Sequence, residues 1–388
     1  MKRSRTVMVL AASASILFAA CTSGAATSSA PASTAPSASA PAASEPAASQ
    51  PAELTKVSLQ LQWAPQAQFA GYFAAKDQGY FEAAGLDVTI LDGGPTVVPQ
   101  QVGSAPDGPE FTISWVPKVL EAREAGSDLV DIAQIFQRSG TLSVSWKDSN
   151  ITKPADFKGK KIGVWDFGNE FEVTAGAKKA GLEQGTDYEK VIQPFDMTLL
   201  LSKQIDVAEA MIYNEYAQVL EATNPESGQL YQPTDLNVIN WNDEGVAMLQ
   251  DALFARAAWL AEAGNEDVAK AFLKASFQGW IYCRENPDDC IKSTVDAGSQ
   301  LPAGHQRWMM NEINPLIWPS PNGIGMMDPA LWQQTVDVSL GAGVIKAAPP
   351  KDAYRTDLAE AALAELADAD TKGSSFVKGT VEVTAGGK

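Results

Sequence analysis

Histidine occurs once in these 388 residues and cysteine three times. That scarcity excludes much chemistry. Nucleophilic catalysis needs a hydroxyl or thiol activated by a neighbouring base. His305, in Ala-Gly-His-Gln-Arg, has no second histidine and no thiolate to work with, so it reads as a structural or surface residue. A zinc site wants several soft ligands at fixed spacing, and three cysteines do not supply them. Basic residues are few as well, 29 Lys and Arg against 47 Asp and Glu, for a formal charge of −18. A field of that sign repels phosphates and excludes nucleic acid as a partner. No glycine-rich phosphate loop occurs, and Gly93-Gly94-Pro95 reads as a turn. Neither a cofactor nor a metal is expected, and the chain is expected not to be an enzyme.

Long hydrophobic runs are also missing. The longest, residues 7–20, follows Lys2, Arg3 and Arg5 and is too short to span a bilayer. It has the charged, apolar and small-residue parts of an export signal. Leu17-Phe-Ala-Ala-Cys21 is similar to a bacterial lipobox, with Phe18 in place of the usual Leu. That similarity implies a signal peptide over 1–20, cleavage before Cys21, and lipid on that cysteine. Loss of Lys2, Arg3 and Arg5 takes the charge from −18 to −21. Residues 22–52 are almost entirely Ala, Ser, Thr and Pro, with prolines at 31, 36, 41, 46 and 51. Such a segment cannot bury a core, so 21–53 is read as a disordered linker of roughly 90 Å fully stretched reach. The body is therefore expected to be anchored at the outer face of the cytoplasmic membrane.

Cys283 and Cys290 flank Asn286-Pro287, a turn between two helical stretches. Outside the cytoplasm, with no further soft ligand nearby, they are expected to form a disulfide.

From residue 54 short β-rich runs alternate with helical stretches. Strands are predicted at 57–61, 88–91, 111–114, 130–136, 161–165, 191–195 and 207–213, with helices near 69–84 and 118–125. After about residue 255 the chain reads as mainly helical. The pattern is that of parallel α/β sheets. Runs at 142–146 and 238–241 look like the places where the chain leaves one lobe and returns. One lobe is thus expected over 54–147 and 242–388, the other over 148–241.

Open α/β sheets bind ligands beyond the carboxyl ends of their strands. Trp63, Trp115, Trp165 and Trp241 all fall there, among Asn, Gln, Asp and Glu. Flat aromatic walls stack on a planar ring, and amides and carboxylates match ring nitrogens and amines. The candidate binding residues are Trp63, Gln66, Phe69, Tyr72, Trp115, Arg138, Trp165, Asn169, Glu170, Tyr213, Glu215 and Asp243. Trp63 and Trp115 would form one wall and Trp165 the other. Glu215 would accept from a ring amine, with Asn169 or Glu170 assisting. Each also has a plainer reading. Phe69 and Tyr72 have the spacing to pack the first helix on its sheet, and Asp166 and Glu170 could cap a helix. Arg138 could pair with a carboxylate.

With these residues in view, Leu59-Gln-Leu-Gln-Trp-Ala-Pro-Gln-Ala-Gln-Phe-Ala-Gly-Tyr72 and Gly79-Tyr-Phe-Glu-Ala-Ala-Gly-Leu-Asp-Val88 resemble the bacterial solute-binding proteins related to yeast thiamine pyrimidine synthase. Lys158-Gly-Lys-Lys-Ile-Gly-Val164, Phe167-Gly-Asn-Glu170 and Tyr213-Asn-Glu215 fit the same group. The resemblance spans about 55–345. It implies a two-lobed α/β fold of the type II periplasmic-binding kind, a monomer, and service to the permease and ATPase of an ABC importer. Bacterial members capture thiamine pyrimidine precursors, and some relatives bind riboflavin. The synthase branch has an iron-binding cysteine motif and an active-site histidine. Here Phe69 stands in the corresponding loop and 240–248 holds no cysteine, so synthesis from a protein histidine is not expected. A hydroxymethyl- or formylamino-pyrimidine is the expected ligand, with riboflavin the alternative.

Overall fold

The structure, a computed structural model, describes residues 53–388. Cys21, with its expected lipid, and nearly all of the expected linker lie outside the described residues.

Ten strands form two five-stranded sheets of matching topology. The first contains β1 (Thr55–Gln60), β2 (Leu86–Leu91), β3 (Phe111–Ser114), β4 (Leu129–Gln134) and β10 (Ala252–Arg256), in the order β2-β1-β3-β10-β4. The second contains β5 (Thr141–Trp146), β6 (Lys161–Val164), β7 (Glu189–Ile192), β8 (Val207–Met211) and β9 (Leu236–Asn240), in the order β7-β6-β8-β5-β9. The sheets are mixed rather than parallel throughout. β1 runs parallel to β2 and β3, whereas β10 runs antiparallel to β3 and β4. In the second sheet β5 is the antiparallel strand, between β8 and β9. Each antiparallel strand follows a passage between sheets, so it enters its sheet from the opposite end. The first sheet is therefore completed only by β10, after the whole second sheet has formed. Residues 141–146, expected with the first lobe, pair in the second sheet.

Cover, more than position in the sheet, sets the residue pattern. At one edge, β2 alternates buried Leu86 and Val88 with exposed Asp87 and Thr89. Interior β10 and the other edge strand, β4, are buried at every position, and bridges from Gly325 and Tyr354 cover β4.

In the first lobe, helix Ala70–Asp77 lies against the long helix Asn265–Glu285. A Cβ on Gly71 would sit 2.2 Å from the Trp280 ring, and one on Gly279 would sit 2.0 Å from the Gly71 carbonyl oxygen. Only glycine permits this approach. Cys283, in this helix, is joined to Cys290 of helix Pro287–Asp296, with a Cα–Cα distance of 5.5 Å. Helix Ala303–Ile317 buries Met309, Met310, Ile313 and Ile317 in the same core. Its Trp308 indole donates to the Ile212 carbonyl of the second lobe at 3.0 Å.

Candidate functional site

The carboxyl ends of both sheets face one cavity of about 250 Å³. From the first lobe come Trp63, Gln62 and Gln66 after β1, the 94–100 segment after β2, and Trp115 and Lys118 after β3. From the second come Trp165, Phe167 and Asn169 after β6, Phe195 after β7, Met211 at the end of β8, and Tyr213, Asn214 and Glu215 after it.

Trp115 sits just ahead of helix Val116–Glu124. Its indole donates to Asp251 Oδ1 at 2.8 Å, and the Gln68 amide donates to Asp251 Oδ2 at 2.8 Å. The ring is thereby fixed from behind. Burial pushes Asp251 up to about 6, against the pull of those donors and of Lys118. Lys118 lies over the Trp115 ring, 4.3 Å from its centroid, and donates to Asn169 Oδ1 at 2.8 Å. Burial lowers the amine to about 8, although Asp251, Glu209 and Glu170 favour its charged form.

Across the cavity, Trp165 is anchored twice. Its main-chain N–H donates to Glu209 Oε2 at 2.9 Å, and its indole donates to the Pro194 carbonyl at 3.1 Å. Phe195 stacks near it at 6.0 Å and touches Trp63 at 4.4 Å, so an aromatic side chain bridges the two lobes. Phe167 is 72% exposed with φ of +65°, a conformation unusual for a bulky side chain. Glu215 takes Met211 N–H on Oε2 at 3.0 Å and the Asn214 amide on Oε1 at 2.8 Å. Burial pushes it up to about 7.

Seven of the twelve candidate residues line the cavity: Trp63, Gln66, Trp115, Trp165, Asn169, Tyr213 and Glu215. The other five lie elsewhere. Phe69 and Tyr72 are buried in the first-lobe core, Tyr72 edge-on to Trp280 at 5.7 Å. Their helical spacing signals packing, the plainer of the two readings. Arg138 donates to the carbonyls of Pro315 and Pro319 instead of facing the cavity. Glu170 accepts from Gly168 N–H and pairs with Lys190 at 3.4 Å, outside the lining. Asp243 is exposed in the turn after β9, with its main-chain N–H on Asn240. Trp241 also fails to join the cleft, being fully buried beside Phe157 in the second-lobe core. β9 is an edge strand beyond β5, so its carboxyl end misses the cavity.

Lys118, Phe195 and 94–100 enter the site without having been selected from the sequence. Lys118 follows Trp115 by three residues, one helical turn, which was the available signal. Phe195 had the same strand-end position as the tryptophans.

Two mixed sheets of this order, with a cavity between their carboxyl ends, define the type II periplasmic solute-binding fold. The periplasmic aliphatic sulphonate-binding protein SsuA of Escherichia coli shares it, with a TM-score of 0.56, 16% identity, and coverage of 76% of this chain and 89% of that one. The family described as "NMT1/THI5 like" matches residues 66–290, and the chain belongs to it. The riboflavin-binding protein RibY of Chloroflexus aurantiacus is 27% identical over 304 residues, 76% of this chain and 83% of that one. A formylaminopyrimidine-binding protein of Halalkalibacterium halodurans is 25% identical over 243 residues, 61% of this chain and 69% of that one.

Proposed function

We propose that the chain is the solute-binding subunit of an ABC importer, lipid-anchored outside the cytoplasmic membrane, closing its lobes on a planar nitrogen heterocycle. One observation carries this reading: tryptophans stand on both sides of one cavity, Trp63 and Trp115 against Trp165, the last two fixed by indole hydrogen bonds, with amides and the Glu215 carboxyl among them. The walls supply stacking and the polar groups select the ring edge. The lining presents no paired nucleophile and base, which favours binding over catalysis.

Riboflavin is the ligand we favour. Six aromatic side chains line the cavity, more than one small ring can cover, and the riboflavin-binding relative aligns across 76% of the chain. A hydroxymethyl- or formylamino-pyrimidine is the second reading. The cavity, about 250 Å³, suits a single ring and lies below the roughly 300 Å³ at which pockets for larger ligands begin.

Tryptophan-fluorescence titration tests both. Riboflavin, the two pyrimidines, an amino acid and an alkanesulfonate are added to the purified protein. Tight quenching by riboflavin supports the first reading and by a pyrimidine the second. Binding of only the amino acid or the sulfonate rejects both.

A further inference from the structure

We propose that His305 is a positioning residue for the ligand cavity: its imidazole bridges Glu221 and Asn214 and thereby fixes Asn214, which in turn holds Glu215 at the cavity wall. The proposal rests on the binding reading above and extends it to a residue that does not line the cavity.

The single histidine is 1% exposed. Its Nδ1 lies 2.9 and 3.0 Å from the two carboxylate oxygens of Glu221, and its Nε2 lies 3.0 Å from Asn214 Oδ1. Both ring nitrogens are thereby engaged. The Asn214 Nδ2 donates to Glu215 Oε1 at 2.8 Å, and its Oδ1 also accepts from Gln218 at 3.3 Å. The amide is thus held on three sides, by His305, Glu215 and Gln218.

The chain of contacts runs Glu221–His305–Asn214–Glu215, from a buried carboxylate to the cavity wall. It also joins the lobes, because His305 belongs to helix Ala303–Ile317 whereas Asn214, Glu215 and Glu221 follow β8. Few other charges face the ring. From the 385–387 segment only backbone approaches, and a Cβ on Gly387 would lie 2.7 Å from His305 Cβ. From Ala67–Phe69 the contact is a main-chain N–H on Gln306. From helix Pro287–Asp296, Asp288 pairs with exposed Arg307 at 3.1 Å. Glu221 is thus the charged side chain that contacts the ring.

Riboflavin and hydroxymethylpyrimidine are titrated against the wild type, His305→Ala and His305→Gln. Affinity for whichever ligand binds should fall roughly tenfold in the alanine variant and recover in part with glutamine, which can still hydrogen-bond Asn214. Unchanged affinity in folded His305→Ala overturns the proposal. Should that variant not fold, Glu221→Gln replaces it, with weaker binding expected and unchanged affinity overturning the proposal. If no ligand binds the wild type, the import reading fails, while the side-chain amide NMR signals of Asn214 still test the contact: they should shift in His305→Gln, and unshifted signals overturn the proposal.

Discussion

The Lys118 amine donates across the cavity to Asn169 Oδ1 at 2.8 Å, joining a first-lobe helix to a second-lobe turn. The bond spans the cavity that both side chains line. Removing one partner leaves the other buried without its bond, which costs ~1–3 kcal/mol. Asn169→Ala should therefore lower the melting temperature and shift the ligand-free protein towards an open form. Small-angle scattering would show a larger radius of gyration. An unchanged radius would mean that this bond does not help to hold the lobes together.

Stability should fall as pH rises from about 4.5 to about 7. Glu172 and Glu215 are each pushed by burial from 4.5 to about 7, and Asp251 from 3.8 to about 6. Between those limits the folded chain holds protons that the unfolded chain has released. Their contribution is complete below the unfolded values and lost as pH passes the folded ones. Each of the three contributes on the order of 3 kcal/mol, since each tenfold gain in proton affinity is worth on the order of 1.4 kcal/mol. Calorimetry should give a higher melting temperature at pH 5 than at pH 7.5. The reverse order would show that the exposed carboxylates dominate.

Truncating the walls should separate binding from folding. Trp165→Ala should weaken ligand binding by ~2 kcal/mol or more, as for a buried stacking ring. Phe195→Ala should weaken binding with little effect on melting, because Phe195 is 41% exposed and its contacts are Trp63 and Trp165. Calorimetric titration and thermal melts on both variants would test this, and equal affinity in folded proteins would place the ligand elsewhere.

Gly71→Ala should destabilise the first lobe severely. The added methyl would meet the fully buried Trp280 ring at 2.2 Å, with no space into which it could turn. Overpacking of this kind costs ~1–3 kcal/mol or more. Urea unfolding would show a lower midpoint, whereas a wild-type midpoint would mean that the two helices separate freely.

The Cys283–Cys290 bridge closes a short loop of sequence separation 7. Its loss in Cys283→Ser/Cys290→Ser should cost about 2 kcal/mol in the chain-entropy model. Non-reducing peptide mapping of the wild type should recover the linked pair, and two alkylatable thiols would contradict the bridge.

The sequence by itself determined what depends on near neighbours. Alternation of apolar residues marks β2, and Asn286-Pro287 marks the corner between two helices. The tryptophans at strand ends pointed to the cavity because the carboxyl ends of a sheet's parallel strands share one side whatever their order. Only the tertiary structure decided strand order and direction. Nothing local to Ala252–Arg256 says that it inserts between β3 and β4, because that pairing joins residues more than a hundred positions apart. The same limit separated Trp165 from Trp241. Both end strands, but β6 lies beside the centre of its sheet and β9 at its edge, so one ring faces the cavity and the other fills the core. Lys118 and His305 matter through partners on the opposite lobe, Asn169 and Asn214, and only the packing of the two lobes brings those pairs together.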